Sequence, residues 1–270
     1  MPEPDIYLLG RSRAEEERLR KQVHELSGEA NWLLDQLHIP PGASAIDLGC
    51  GPQGVLDLLA DRVGPQGNVV GLEQSEGFVA SARAFVADRK LANVKVVQGD
   101  AKATDLPRGS FDVVHARLVL VNVPQPWLVV EEMVALAKPG GVVVSHEADF
   151  LSHCCDPPSP AWDRLLQILQ AFSEAKGIDL FVGRKTHRLL RDAGIVDVQV
   201  RPVIHVYPHG HNRRSIFLDF IRNIRDAAIQ EGFAEEGELD ALTAELRRHL
   251  DDPGTQVMSH LFFQAWGRKP

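Results

Sequence analysis

Ala45-Ile46-Asp47-Leu48-Gly49-Cys50-Gly51-Pro52-Gln53-Gly54 reads as a β-strand running into a glycine turn that opens a helix. Gly49, Gly51 and Gly54 have the spacing G-x-G-x-x-G, which by itself is weak evidence for a bound dinucleotide. Without a Cβ, glycine lets the backbone take positive φ and approach a ligand closely. About twenty residues on, Glu73, with Gln74 beside it, ends the next strand, where an acidic side chain can accept both hydroxyls of a ribose. Asp47 lies two residues before the first glycine, near the helix N-terminus. A carboxylate there repels a pyrophosphate and helps a ligand that carries an ammonium group. Gly99-Asp100-Ala101 follows the third strand as an acidic loop suited to an adenine amino group. The stretch therefore announces an adenosine-type ligand and leaves its identity open; a tight turn without a ligand is the plain alternative.

Working outward, apolar runs at 44–48, 69–72, 94–98, 111–115 and 141–145 alternate with helical stretches at 55–63, 75–91 and 126–138. Short, fully apolar strands separated by helices predict a parallel sheet covered on both faces. Right-handed crossovers make it doubly wound, with a crevice at the strand C-termini. Before it, residues 2–38 read as helical after an extended start. Ser12 and Glu15 form a capping-box pattern, Leu19, Val23, Leu26, Ala30, Leu33, Leu34 and Leu37 recur at helical spacing, and Pro40-Pro41-Gly42 stops the run. After 150, Pro157, Pro158 and Pro160 lead into helices at 161–176 and 185–193, the second closed by Gly194. A strand at 198–207, helices at 214–230 and 235–250, and a last strand at 257–266 complete the chain. The expected fold is α/β: a Rossmann-like, doubly wound, mostly parallel sheet with an antiparallel last strand and a helical cap.

Composition narrows the function. At 270 residues, 44% hydrophobic and 24% charged, the chain is an ordinary globular protein. Its net charge of −8 argues against a broad basic surface for nucleic acid. No apolar run approaches the 18 or so residues of a membrane span. Met1 to Gly10 carries Glu3 and Asp5 and lacks a basic segment followed by an apolar one, so no signal peptide is expected. Three cysteines build neither a disulfide framework nor a four-thiolate zinc site. These readings predict a cytoplasmic protein with a small-molecule partner, no nucleic acid and no membrane; a homo-oligomer is left open.

The chain resembles the class I S-adenosylmethionine-dependent methyltransferases. The resemblance is carried by Asp47-Leu48-Gly49-Cys50-Gly51, Glu73, Gly99-Asp100-Ala101, Phe111-Asp112-Val113-Val114 and Lys138-Pro139-Gly140-Gly141, in the family's order. Tyr7-Leu8-Leu9-Gly10-Arg11-Ser12 with Arg18-Leu19 and Gln22, and His115-Ala116-Arg117-Leu118, are similar to the small-molecule, ubiquinone-biosynthesis-like and natural-product branch. The resemblance implies S-adenosylmethionine held by Tyr7, Gln22, Asp47, Gly49, Cys50, Gly51, Glu73, Gln74, Gly99, Asp100, Ala101, Ala116 and Arg117. It implies a helical lid over 1–42, a donor-binding core over 43–150, and a substrate cap with sheet-completing strands over 151–270. The implied activity is methyl transfer to a carbon, oxygen or nitrogen of a small molecule in secondary-metabolite or quinone-like biosynthesis. A nicotinamide-dependent oxidoreductase, or a cyclase or binding protein on the same fold, are the alternatives.

His115, His146, Glu147 and Asp149 end the fourth and fifth strands, which point at the crevice. A general base is needed only for a weak nucleophile such as a phenol or an enol carbon. His146 or His115, then Asp149, are the candidate catalytic residues, with structural service the competing role. Cys50 reads as a small residue in a tight turn. His153-Cys154-Cys155 lacks metal-ligand spacing, so no metal is expected. His205, His209 and His211 with Arg213 and Arg214 read as a solvated loop, with binding of an anionic substrate the alternative. Glu15, Glu16, Glu17, Arg18, Arg20 and Lys21 read as a solvated helix face. Phe217, Leu218, Ile221, Ile224 and Phe262 suit either cleft lining or core.

Overall fold

The structure, a computed structural model, describes residues 13–270. Tyr7 and the Ser12 end of the capping box lie outside the described residues. In chain order the strands are β1 (Ser44–Leu48), β2 (Asn68–Glu73), β3 (Val94–Gln98), β4 (Phe111–Arg117), β5 (Ala137–Asp149), β6 (Cys154–Asp156), β7 (Val196–Val203), β8 (Val206–Tyr207), β9 (Gln256–Met258) and β10 (Leu261–Arg268). The helices are α1 (Arg13–Glu25), α2 (Ser27–Gln36), α3 (Leu56–Val63), α4 (Glu76–Asp88), α5 (Pro126–Leu136), α6 (Pro160–Ala175), α7 (Thr186–Asp192), α8 (Ile216–Gln230) and α9 (Glu236–Asp251).

Seven strands form one sheet in the order β3-β2-β1-β4-β5-β10-β7. The first five are parallel, and β10 runs antiparallel between β5 and β7. The strand order reverses between β1 and β4, the switch point at which open α/β sheets leave a crevice. Alternate side chains serve opposite faces. Ala45, Val113, Val142 and Val144 pack with residues of α2, α3 and α4 on one side. Ile46, Leu48, Val114, Ala116 and Val143 pack with residues of α5 to α9 on the other. This is the doubly wound, mostly parallel sheet with an antiparallel last strand that the apolar runs predict.

Two predicted elements divide. The strand expected over 198–207 is β7 and β8, and that over 257–266 is β9 and β10. The interruptions face each other: Ser259 N–H donates to His205 O at 2.9 Å, and Ser259 Oγ accepts from His205 N–H at 2.9 Å. Beyond that crossing, β9 pairs with β6 and β8 in a separate three-stranded sheet. The Cys154-Cys155 pair therefore belongs to a strand. The N-terminal helix likewise divides into α1 and α2 around Leu26, which is buried.

Candidate ligand-binding site

The site is built on the turn after β1. Asp47 is buried, and its Oδ2 accepts the Val55 N–H at the start of α3 at 3.0 Å, while its Oδ1 lies 2.7 Å from His115 Nδ1. The carboxylate thus fills the positive N-terminus of α3, the seat an anionic ligand group would otherwise take. Gly54 makes this possible: at φ +57° it is left-handed, and a Cβ there would lie 2.1 Å from Asp47 Oδ2.

Glu73, at the end of β2, ties the turn to its neighbour. Its carboxylate accepts Gly51 N–H at 2.9 Å and Ser75 N–H at 2.8 Å. After β3, Asp100 Oδ1 accepts Lys102 N–H at 2.8 Å, which holds the acidic loop in a turn. Gly99, Asp100, Ala101, Glu73 and Gln74 line one end of a cavity with about 200 Å³ of space open to water. Gly49, Cys50 and Gly51 line its middle, facing Arg117 and Leu118 at the end of β4. Gln22 and Arg18 of α1 border it as well. Gly51, at φ +57°, has nothing nearer to its missing Cβ than Leu19 Cδ1 at 4.0 Å, so its backbone is open to a ligand. Burial and the nearby Asp47 and Glu73 carboxylates push the Cys50 thiol well above its usual pKa, which makes it inert packing.

Arg117 is the guanidinium on the cavity wall that has no ion pair among the described residues. Among the described residues its Nη2 reaches only Gly54 O at 3.4 Å, and its buried Nη1 has no hydrogen-bond partner. Burial lowers its pKa from the ordinary value against the pull of Asp47. Two further guanidiniums on the wall are paired: Arg18 with Glu15 at 2.7 Å, and Arg213 with Glu25. Glu15 and Arg213 are buried, so neither belongs to the solvated surface expected from the charge pattern. Arg214 is buried too, donating to the carbonyls of Leu250, Tyr207 and Thr255.

The three candidate catalytic residues are not on the cavity wall. His115 shares the sheet face of Asp47 and is consumed by it. His146, fully buried, faces Arg117 across β4–β5 and Gln264 across β5–β10, with neither ring nitrogen paired among the described residues. Asp149 is held by Arg184, with Nε and Nη2 each 2.5 Å from a carboxylate oxygen. Nearness to a strand end was legible; that Asp47 occupies His115, Arg184 holds Asp149 and His146 is wholly buried was not. Ala116 is also a correction: it is fully buried between Leu48 and Ser145, inside the sheet. Glu147 lies behind the wall and shapes it. Its carboxylate accepts the N–H groups of Val119, Leu120 and Val121 at 3.0 to 3.2 Å, and burial pushes its pKa up to about 8.

Of the apolar candidates, Phe262 lines the cavity, while Phe217, Leu218, Ile221 and Ile224 pack into the core with residues of α6 and α9. The far end of the cavity is closed by Phe150, Leu180, Phe220 and His260. The sequence reading did not single out His260, because it sits inside an apparently continuous final strand.

Residues 39–194 match the family model of a methyltransferase domain. An uncharacterised 37.1 kDa protein in transposon TN4556 of Streptomyces fradiae is 34% identical over 182 residues, covering 65% of this chain and 50% of that protein. A demethylmenaquinone methyltransferase of Shouchella clausii is 38% identical over 128 residues, 46% of this chain and 54% of that one. The chain thus spans about half the length of these two relatives. Among solved structures, Haemonchus contortus phosphoethanolamine N-methyltransferase 2 in complex with S-adenosyl-L-methionine shares the fold. It aligns with a TM-score of 0.55 at 16% identity, covering 90% of this chain and 53% of that one.

Proposed function

Because the chain belongs to the methyltransferase-domain family, we propose that it transfers a methyl group from S-adenosylmethionine to a small-molecule acceptor. The observation that carries this reading is Asp47 seated on the N-terminus of α3. A dinucleotide needs that seat for its pyrophosphate. A donor with an ammonium group gains from the same carboxylate.

The cavity fits such a donor residue by residue. Glu73, which accepts from Gly51 and Ser75, stands at the end of β2, where its carboxylate would take the ribose hydroxyls. Asp100 and Ala101 suit the adenine end, and the open face of Gly51 admits close approach. Arg117, whose Nη1 lacks a partner, supplies the cation for the donor's carboxylate. When bound, the donor supplies a sulfonium methyl whose positive charge disperses on transfer.

The protein's own work is alignment and exclusion of water. We assign the lid role to α1, which contributes Arg18, Leu19, Gln22 and Val23 to the wall, and the cap role to the segments after 150, which contribute Phe220 and His260. His115, His146 and Asp149 have no access to the cavity, so no general base is assigned to them. The described residues contain no helix long and apolar enough to cross a membrane.

The test is incubation with methyl-labelled S-adenosylmethionine and a panel of phenols, enols and amines. Label in an organic product together with S-adenosylhomocysteine is the expected result. Tight donor binding with no transfer to any acceptor would overturn the proposal.

A further inference from the structure

Sheet order gives the cavity a direction. Glu73 and Asp100 stand at the β2 and β3 end, the glycine turn and Arg117 at β1 and β4, and Phe150, Phe262 and His260 at β5 and β10. With the donor lying over the first four strands, as proposed above, the β5–β10 end is left for the acceptor.

That end is an aromatic box. The His260 ring centroid lies 4.0 Å from that of Phe150, 5.8 Å from Phe220 and 6.1 Å from Phe262, and Phe150 and Phe220 are 5.5 Å apart. Such walls accept a flat apolar body. Among the described residues, His260 is the only imidazole on the cavity wall. It is 4% exposed, and its Nε2 has no hydrogen-bond partner among the described residues. We propose that His260 sets acceptor specificity by hydrogen-bonding a hydroxyl carried on a flat apolar molecule seated among Phe150, Phe220 and Phe262.

A buried polar atom without a partner costs about 1–3 kcal/mol, so a ligand that supplies the missing bond is favoured over one that does not. A hydroxyl both donates and accepts, so it satisfies either imidazole tautomer. The charged and titratable groups around the ring are His153, whose centroid is 4.0 Å away, Arg213 ahead of α8, and Arg18 of α1. Burial and these neighbours hold His260 well below its ordinary pKa. The ring is therefore neutral at pH 7 and weakly basic, a hydrogen-bonding group rather than a proton acceptor.

The test needs no turnover. Binding of 2-naphthol and naphthalene to the full chain is measured by equilibrium dialysis, and S-adenosylhomocysteine binding by calorimetry on the same preparations. The wild type should prefer 2-naphthol by about tenfold. His260→Phe, which keeps the ring, should erase the preference, and His260→Gln, which keeps an acceptor, should retain it. No preference in the wild type, or full preference in His260→Phe, overturns the assignment even where S-adenosylhomocysteine binds. A preference that follows residue 260 without S-adenosylhomocysteine binding supports the assignment and overturns the donor reading instead.

Discussion

Asp47 and Arg117 are opposite charges in one cavity with different fates. Asp47 has both oxygens committed, to Val55 N–H and to His115. Asp47→Ala should lower the free energy of unfolding by about 3 kcal/mol in urea titrations, because it strands a buried imidazole and a helix donor together. A loss below about 1 kcal/mol would mean the carboxylate is not the anchor of the turn. Arg117 has no carboxylate partner among the described residues and one orphaned nitrogen. Arg117→Met should weaken S-adenosylhomocysteine binding by roughly 10- to 100-fold without lowering the melting temperature, since it removes an uncompensated cation. Unchanged affinity would remove Arg117 from the donor site. Glu73, Asp100 and Arg117 could be picked out from the sequence because each comes just after a predicted strand, and Asp47 because it precedes the glycine turn. His115 and His146 also stand near strand ends, on the sheet face of Asp47 and Arg117, and lie off the wall because Asp47 occupies His115 and His146 is wholly buried.

At the scale of elements, Arg214 shows what a charge pattern hides. Read as part of a solvated loop, it is buried and fastens the last turn of α9 at Leu250 to the β8 carbonyl of Tyr207 and to Thr255 ahead of β9. Its planar fork spans these acceptors at once, which a lysine ammonium cannot. Arg214→Met should therefore destabilise the chain by about 2–4 kcal/mol, and Arg214→Lys should recover only part of that, as followed by chemical denaturation. Full recovery by lysine would show that charge alone matters there. The strands β1 and β3 have the predicted bounds because their apolar runs end in glycine or polar turns. The division at Ser259 and His260 was illegible, because a pairing with His205, 54 positions away, interrupts an alternation that continues through it. The same division brings His260 to the cavity wall.

For the whole molecule, burial of titratable groups sets the pH response. His146, His153 and His260 are all held below their ordinary pKa of 6.5 by burial, His153 at about 3, so they are neutral when folded and charged when unfolded in mild acid. Glu147, raised from 4.5 to about 8, acts in the opposite sense, since unfolding releases its proton between those values. Below about pH 6.5 the three histidines take up protons in the unfolded chain that burial denies them in the folded one, against the one proton that Glu147 releases, so stability falls on acidification. Above pH 6.5 only Glu147 contributes, and stability falls as pH rises toward 8. Unfolding free energies measured across this range should peak near pH 6.5; a flat profile would contradict the neutral buried histidines. Layer order and crevice were legible in the sequence because they follow from short-range pattern. The aromatic end of the cavity was not, because α8 and β10 meet β5 there only through tertiary packing. Calorimetric titration of the full chain with S-adenosylhomocysteine, and separately with NAD, tests the central claim most directly. The account predicts one-to-one heat from S-adenosylhomocysteine and none from NAD, and heat from NAD alone would contradict it.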